Sequence, residues 1–465
     1  MRRAVLLAAI LLAALPGAAQ TLAPEQQRVR EIYEELLEID TTHSTGSTTV
    51  AAEAVAKRLR AAGVPAKDIA QLGPSPTKGN LVARLHGTGA EPPLLLLAHL
   101  DVVEAKREDW SVDPFTLLEK DGFFYGRGTA DDKAMAAIFT ELFVEYARAK
   151  KPLRRDLIFA LTADEEGGTE NGVQWLLANH RPLVEAALVI NEGGGGQMRK
   201  GKYLLHAVQA AEKTYADFEL TVRDVGGHSS RPTASNPIYK LADALGRLAR
   251  HRFPVELNPV TRAYFATAAS VESGDTAADM AALAKDPADA AAAERLSGHP
   301  GYSALLRTTC TATRLAGGHA NNALPQLATA TVNCRILPGH PVAEVQAQLA
   351  EILAEPALAI AQVDADFSAP AAPAEVDPAF LALVERLTAE TWPGIPVVPT
   401  MSAGATDSRY FRGAGVPAYG VSGMFHDMDD VRAHGKDERL GVRQFYEGQV
   451  FLGRLVEALA AATAP

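Results

Sequence analysis

Apolar residues recur at helical spacing through Pro24–Ile39 and again through Thr48–Ala62, with charged residues filling the positions between. Runs of strand length follow, nearly unbroken in their apolar character: Asn80–Leu85, Pro93–Leu97, Asp156–Leu161 and Ala186–Ile190. Between them Ala134–Ala149 and Thr169–His180 return to the helical rhythm. Strands that are apolar on both faces must be covered on both faces. The alternation therefore predicts an α/β domain, a mostly parallel sheet with helices on both faces. In such sheets ligands collect beyond the carboxyl ends of strands.

The rhythm changes near residue 212. Tyr215–Val222 alternates like a half-exposed strand, and Pro237–Arg250 and Val342–Leu353 read as helices. Arg307–Leu315, Ala328–Leu337 and Leu358–Phe367 read as further strands. This predicts an inserted α+β domain, residues 212–367, within a discontinuous catalytic domain of residues 20–211 and 368–465. The alanine-rich Asp275–Ser297 is expected as a helical excursion of that insertion, and Ser368–Pro373 as the hinge that ends it. Helices and one strand, Ala418–Val421, resume from Asp377, and Val442–Ala460 closes the chain as an amphipathic helix.

A length of 465 residues agrees with more than one hydrophobic core. The net charge of −11, with no basic stripe, argues against nucleic acid or an anionic membrane as partner. At the N-terminus Arg2 and Arg3 precede the apolar run Ala4–Leu15 and the small-residue exit Pro16–Ala19. Residues 1–19 thus read as a secretory signal peptide cleaved after Ala19, since the run falls short of the ~20 residues of a membrane span. The mature protein is expected to be secreted or periplasmic and free of the membrane. Cys310 and Cys334 fall on neighbouring expected strands; a disulfide and two buried thiols both remain open.

Five motifs offer carboxylates or imidazoles at expected strand or turn ends. They are Ala98–Asp101, Gly126–Lys133, Asp164–Gly168, Asn191–Gly194 and Ala433–Glu438. Any one alone reads as a solvated turn, a helix cap or a core histidine. Together they supply His99, Asp131, Glu165, Glu166, Glu192 and His434, a donor set suited to a divalent cation, zinc above all. More carboxylate than one tetrahedral shell needs points to two metals with a bridging ligand. Asp131 can bridge, Asp101 can orient the His99 ring, and one of the adjacent Glu165 and Glu166 can act as base while the other ligates. The run Gly193–Gly196 lacks the lysine of a phosphate loop, and there is no Gly-x-Ser-x-Gly nucleophile elbow.

With all five motifs in order from Glu25 to the last helix, the chain resembles the M20 family of co-catalytic zinc peptidases and amidohydrolases. The resemblance implies that His99, Asp131 and Glu192 hold one metal and Asp131, Glu166 and His434 the other. It also makes Glu165 the general base and Asp101 the support of His99, with a cis bond from Asp131 to Asp132. His426 matches no motif of the family. The insertion resembles the family's lid, through which most members form homodimers, and His228 in Gly-Gly-His-Ser-Ser-Arg-Pro matches a histidine that reaches the partner's active site to steady the oxyanion. Asn322, Arg335 and, in Gly404–Arg409, Thr406 match substrate-binding positions, Arg335 through a substrate carboxylate.

The expected activity is metal-assisted cleavage of an amide bond in small peptides or N-acyl amino acids with a free carboxylate. Two divalent ions per subunit are expected, zinc first, with cobalt or manganese also suited. Carboxypeptidase or dipeptidase action leads and aminoacylase action is the alternative. A two-metal phosphoesterase lacks a phosphate cradle here, and a non-catalytic binding relic would have lost the base or a ligand.

Overall fold

The computed structural model describes residues 22–363, apart from Gly168, and 376–462. The leader-like segment, the expected hinge Ser368–Pro373 and the end of the expected strand Leu358–Phe367 lie outside the described residues.

A ten-stranded mixed sheet forms the large domain. Its centre is parallel: Leu157–Thr162, Leu94–His99, Leu188–Asn191 and Ala418–Gly420 lie side by side in that order. All six residues of Leu94–His99 are buried, and alternate side chains go to opposite faces. Leu94, Leu96 and Ala98 pack with the helices Pro24–Glu38, Thr48–Ala61, Lys133–Ala149 and Val442–Ala460. Leu95 and Leu97 pack with Val173, Leu176, Tyr410 and Phe411 of two helices on the other side. Covering on both faces explains why these strands show no polar alternation.

Helix starts are written locally. Asn236, Asn258 and Asp377 each accept a hydrogen bond from a first-turn N–H, and each is followed by a proline whose fixed φ suits the first helical position. The expected helix Thr169–His180 begins instead at Gly172, capped by Asn171, and ends at Asn179.

The small domain is a four-stranded antiparallel sheet. Thr309–Gly317 is its edge, followed by Leu327–Ile336, Thr214–Arg223 and Leu358–Val363. Two helices, Pro237–Arg250 and Val342–Leu353, pack Leu241, Ala244, Val345 and Leu349 against Phe218, Leu220 and Val332. Cys310 and Cys334 stand opposite in register and form a disulfide.

The excursion does not lengthen this domain. The helices Pro259–Ala268, Gly274–Lys285 and Ala290–Leu296 bury Phe265, Met280 and Leu283 against Leu205, Ala207 and Val398 of the large sheet. Their apolar faces cover strands that would otherwise be wet, so residues 259–306 leave the small domain although they interrupt it in sequence.

Candidate metal centre

Three adjacent parallel strands end together and deliver three motifs to one place. His99 is the last residue of its strand, Glu165 and Glu166 follow Leu157–Thr162, and Glu192 follows Leu188–Asn191. Asp131 stands just before the helix Lys133–Ala149, after a cis bond to Asp132. His434 arrives by a different route. The strand Arg439–Gly441 pairs with Phe123–Tyr125, which lays the loop before it along residues 126–131.

Asp131 is shared. One carboxylate oxygen lies 3.0 Å from His99 Nε2 and the other 3.1 Å from His434 Nε2. Glu192 lies 3.9 Å from His99 Nε2, and Glu166 lies 2.8 Å from His434 Nε2. Four bonds of metal–nitrogen or metal–oxygen length at tetrahedral angles separate neighbouring donors by about 3.4 Å. The observed separations bracket that value, so His99–Asp131–Glu192 and Asp131–Glu166–His434 each fit one face of a divalent cation. His426 lies outside both trios and lines a cavity of about 310 Å³ beside them.

The surrounding hydrogen bonds fix these groups. His99 Nδ1 contacts the backbone carbonyl of Asp101 at 3.0 Å, while the Asp101 carboxylate stands 3.6 Å away. That carboxylate instead accepts the N–H groups of Glu165 and Glu166, at 3.1 and 2.9 Å. Asp101 therefore holds the ring with its main chain and the two glutamates with its side chain. Asp164, at φ 60°, is pinned by an ion pair with the buried Lys78.

Glu165 belongs to neither trio but lines the adjoining cavity of about 580 Å³. Burial raises its carboxyl well above the ordinary value; His99 opposes this, and Asp407 and Glu166 add to it. Burial would raise Asp131 too, but His434 and His99 hold it below its usual range. The arrangement can hold cations at the trios while Glu165 exchanges a proton beside them.

Glu438, not singled out from sequence, joins the two loops. Fully buried, its carboxylate accepts from Arg127 Nη1, Gly128 N, Ala130 N and Asp131 N at 2.6, 3.1, 2.7 and 3.2 Å. Arg127 also donates to Gly435 O at 2.9 Å. Its place at the end of the Ala433–Glu438 motif was the one signal in the sequence, and it did not reveal the partners. The glycines of Asn191–Gly194 serve close approach, since a Cβ on Gly194 would lie 2.5 Å from the Ala207 and Gly420 carbonyl oxygens.

The larger cavity brings Arg335 and Thr406 beside the ligands, together with Tyr215, Gln209 and Arg409. His228 and Asn322 do not line it. They sit on a separate exposed ribbon, where His228 pairs with Ala323 and Ser229 N donates to Asn322 O at 3.0 Å.

Residues 95–458 match Peptidase family M20/M25/M40. The human N-fatty-acyl-amino acid synthase/hydrolase is 30% identical over 382 residues, 79% of this chain and 75% of that protein. An M20 family metallo-carboxypeptidase from Sulfolobus solfataricus superposes with a TM-score of 0.70 at 17% identity, over 94% of this chain and 99% of that one. A dinuclear metal binding M20 peptidase from Bacillus subtilis gives 0.59 at 12% identity, over 94% and 98%. At these identities the two structures speak for the fold.

Proposed function

This chain belongs to peptidase family M20/M25/M40 and is a metal-dependent peptidase or amidohydrolase; we propose that it is an exported dinuclear zinc enzyme releasing carboxylate-bearing amino acids from small peptides or N-acyl amino acids. The observation that carries this is the pair of ligand trios sharing Asp131, with Glu165 and Arg335 on the same cavity wall.

His99, Asp131 and Glu192 would hold one zinc ion and Asp131, Glu166 and His434 the other, and the pair would supply an acidified water and a polarised carbonyl. Glu165, held by its own N–H on Asp101, accepts the water's proton at a carboxylate oxygen and returns it to the leaving nitrogen. Burial raises its proton affinity, which favours taking the water's proton. Arg335 and Thr406 orient the substrate so that the carbonyl faces the trios. The human relative named for N-fatty-acyl-amino acids favours aminoacylase action.

A homodimer through the small domain is part of this reading. The edge strand Thr309–Gly317 is exposed from Thr311 onward, and Leu315 and Tyr239 are each 70% exposed. Pairing through that edge would bring His228 and Asn322 to the partner's cavity, where the imidazole can steady an oxyanion. Export rests on the leader-like residues 1–19 and agrees with the Cys310–Cys334 disulfide. N-terminal sequencing of the full-length gene product recovered from whole cells and medium would find it starting at Gln20; a retained Met1 throughout removes the export reading.

The test of the reaction is Glu165→Gln in metal-loaded protein, assayed on dipeptides, N-acyl amino acids and a phosphodiester. Wild type is expected to release free amino acid in a chelator-sensitive way, and the variant to lose turnover at unchanged metal content. Loss of metal with activity would make Glu165 a ligand. Cleavage of the phosphodiester alone would sink the amide reading.

A further inference from the structure

A cavity of about 240 Å³ opens where the excursion ends and the chain re-enters the small domain. Three segments wall it: His251–Phe253 after the helix Pro237–Arg250, Ser297 and Ser303 of the excursion, and Arg307–Thr311 at the start of the edge strand. Among the described residues it shares none with the two cavities beside the ligand trios, and no carboxylate lines it.

Its charge is one-sided. Arg307, only 6% exposed, and the more open Arg252 both face it, with His251 beside them. Burial and then repulsion from Arg252 hold the Arg307 guanidinium below its ordinary pKa; attraction to Glu294 is the weakest of the three effects. Glu294 is itself exposed and stands 3.6 Å from Arg252 Nη1, so one solvated carboxylate serves two guanidiniums. Behind Arg307 the buried Lys213 donates to its carbonyl at 2.5 Å, and burial with the charges of Arg335 and Arg307 brings that ammonium down to about 7.

The Arg307 guanidinium is also short of acceptors. Nη2 donates to Ser297 Oγ at 2.6 Å, while Ser297 gives its own hydrogen to Ala293 O at 2.6 Å. Nε is buried with no partner among the described residues. A buried cation with an unmet donor and further positive charge around it is stabilised by an anion supplied from solvent.

We propose that this cavity is a binding site for a phosphate group, free or on a small monoester, held between the guanidiniums of Arg307 and Arg252. A guanidinium fork presents paired N–H groups to two oxygens of one anion, and a tetrahedral dianion has further oxygens for hydroxyls such as those of Ser303 and Thr311. Two guanidiniums against one exposed carboxylate favour a double over a single negative charge. An occupant would tie the excursion to both flanks of the small domain, at the joint where Lys213 holds Arg307. The site is independent of the reaction at the trios, whatever bond is cut there.

Isothermal titration calorimetry on the metal-loaded protein tests the proposal, with inorganic phosphate, methyl phosphate and acetate as ligands and chloride holding the ionic strength constant. Both phosphates are expected to bind, the tighter one naming the source, and acetate to bind at least about 10-fold more weakly. Arg252→Gln should weaken phosphate binding by about 10- to 100-fold, and Arg307→Lys, which keeps the charge and loses the fork, by about 10-fold. Arg252 is largely exposed, so its variant carries the test if Arg307→Lys folds poorly. Chelator-treated protein separates the cavity from the metal pair, which also attracts phosphate. Binding that survives removal of the metals and falls in Arg252→Gln supports the site. Binding that disappears with the metals and is equal in wild type and Arg252→Gln overturns it, as does a wild type that binds no phosphate or binds acetate equally well. Thermal melts give a second readout: phosphate should raise the Tm of wild type more than that of Arg252→Gln, and equal rises would overturn the proposal.

Discussion

Replacing Glu438 with glutamine keeps the volume of the side chain and removes its charge. In the native protein Oε2 takes Arg127 and Gly128 N, while Oε1 takes Ala130 N and Asp131 N. Glutamine has one acceptor oxygen and an NH₂ group, so in either orientation two donors face a third. Arg127, itself buried, would keep only Gly435 O and the Trp110 ring at 5.0 Å. Removing one partner of a buried ion pair costs about 3–5 kcal/mol. For a chain of ~450 residues unfolding as one unit, an unfolding entropy near 0.9 kcal/mol/K turns this into a Tm loss of about 3–6 °C. Because Asp131 N donates to this carboxylate and Arg127 links it to Gly435 beside His434, metal affinity should fall by about 10- to 100-fold as well. Scanning calorimetry on apo and metal-loaded protein, with a competing chelator to titrate the sites, measures both. A variant within about a degree of wild type and with undiminished metal affinity would refute the reasoning.

His206 is fully buried among Trp392, Phe425 and Phe451, and burial lowers its pKa to about 3. The unfolded chain therefore binds this proton first, and stability is lost as pH falls from about 6.5 toward 3, by about 2 kcal/mol between neutrality and pH 5. His206→Leu should remove that share of the acid sensitivity in urea unfolding, and equal slopes in both proteins would contradict it. Reducing the Cys310–Cys334 bond, which closes 24 residues of sequence, should lower the small domain's stability by about 3 kcal/mol. An unchanged urea midpoint under reductant would show the bond to be idle. Leu315→Asp, on the exposed edge strand, should yield a monomer with unaltered Tm and depressed activity; a dimer that survives at micromolar concentration removes the edge from the interface.

How much of this was legible in the sequence depended on whether the signal was local. The Leu94–His99 strand announces itself because burial on both faces writes an unbroken apolar run, and His99 at its end follows from the general behaviour of parallel sheets. The residues of the two candidate trios lie in the five motifs for the same reason, each being a short turn after a readable element. The role of Glu438 was invisible, since its four donors come from residues about 310 positions away. Asp275–Ser297 was recognised as helical and placed with the small domain, while the neighbouring helices Pro259–Ala268 and Pro300–Leu306 were not read; an amphipathic pattern says that a face is covered and not by what.

That reassignment alters how the small domain is attached. The chain enters it at Lys213, leaves before Pro259 to cover the large sheet, and re-enters at Thr309. The two entrances are bolted together: Lys213 Nζ donates to Arg307 O at 2.5 Å, and Leu337 N to Thr308 Oγ1 at 3.1 Å. A domain hung from one strand can swivel and twist. One tied at adjacent crossings is held more firmly to the large sheet. Arg335 lies on the small domain and the ligand trios on the large one, so how firmly this joint is tied governs how closely that guanidinium is held to the metal centre.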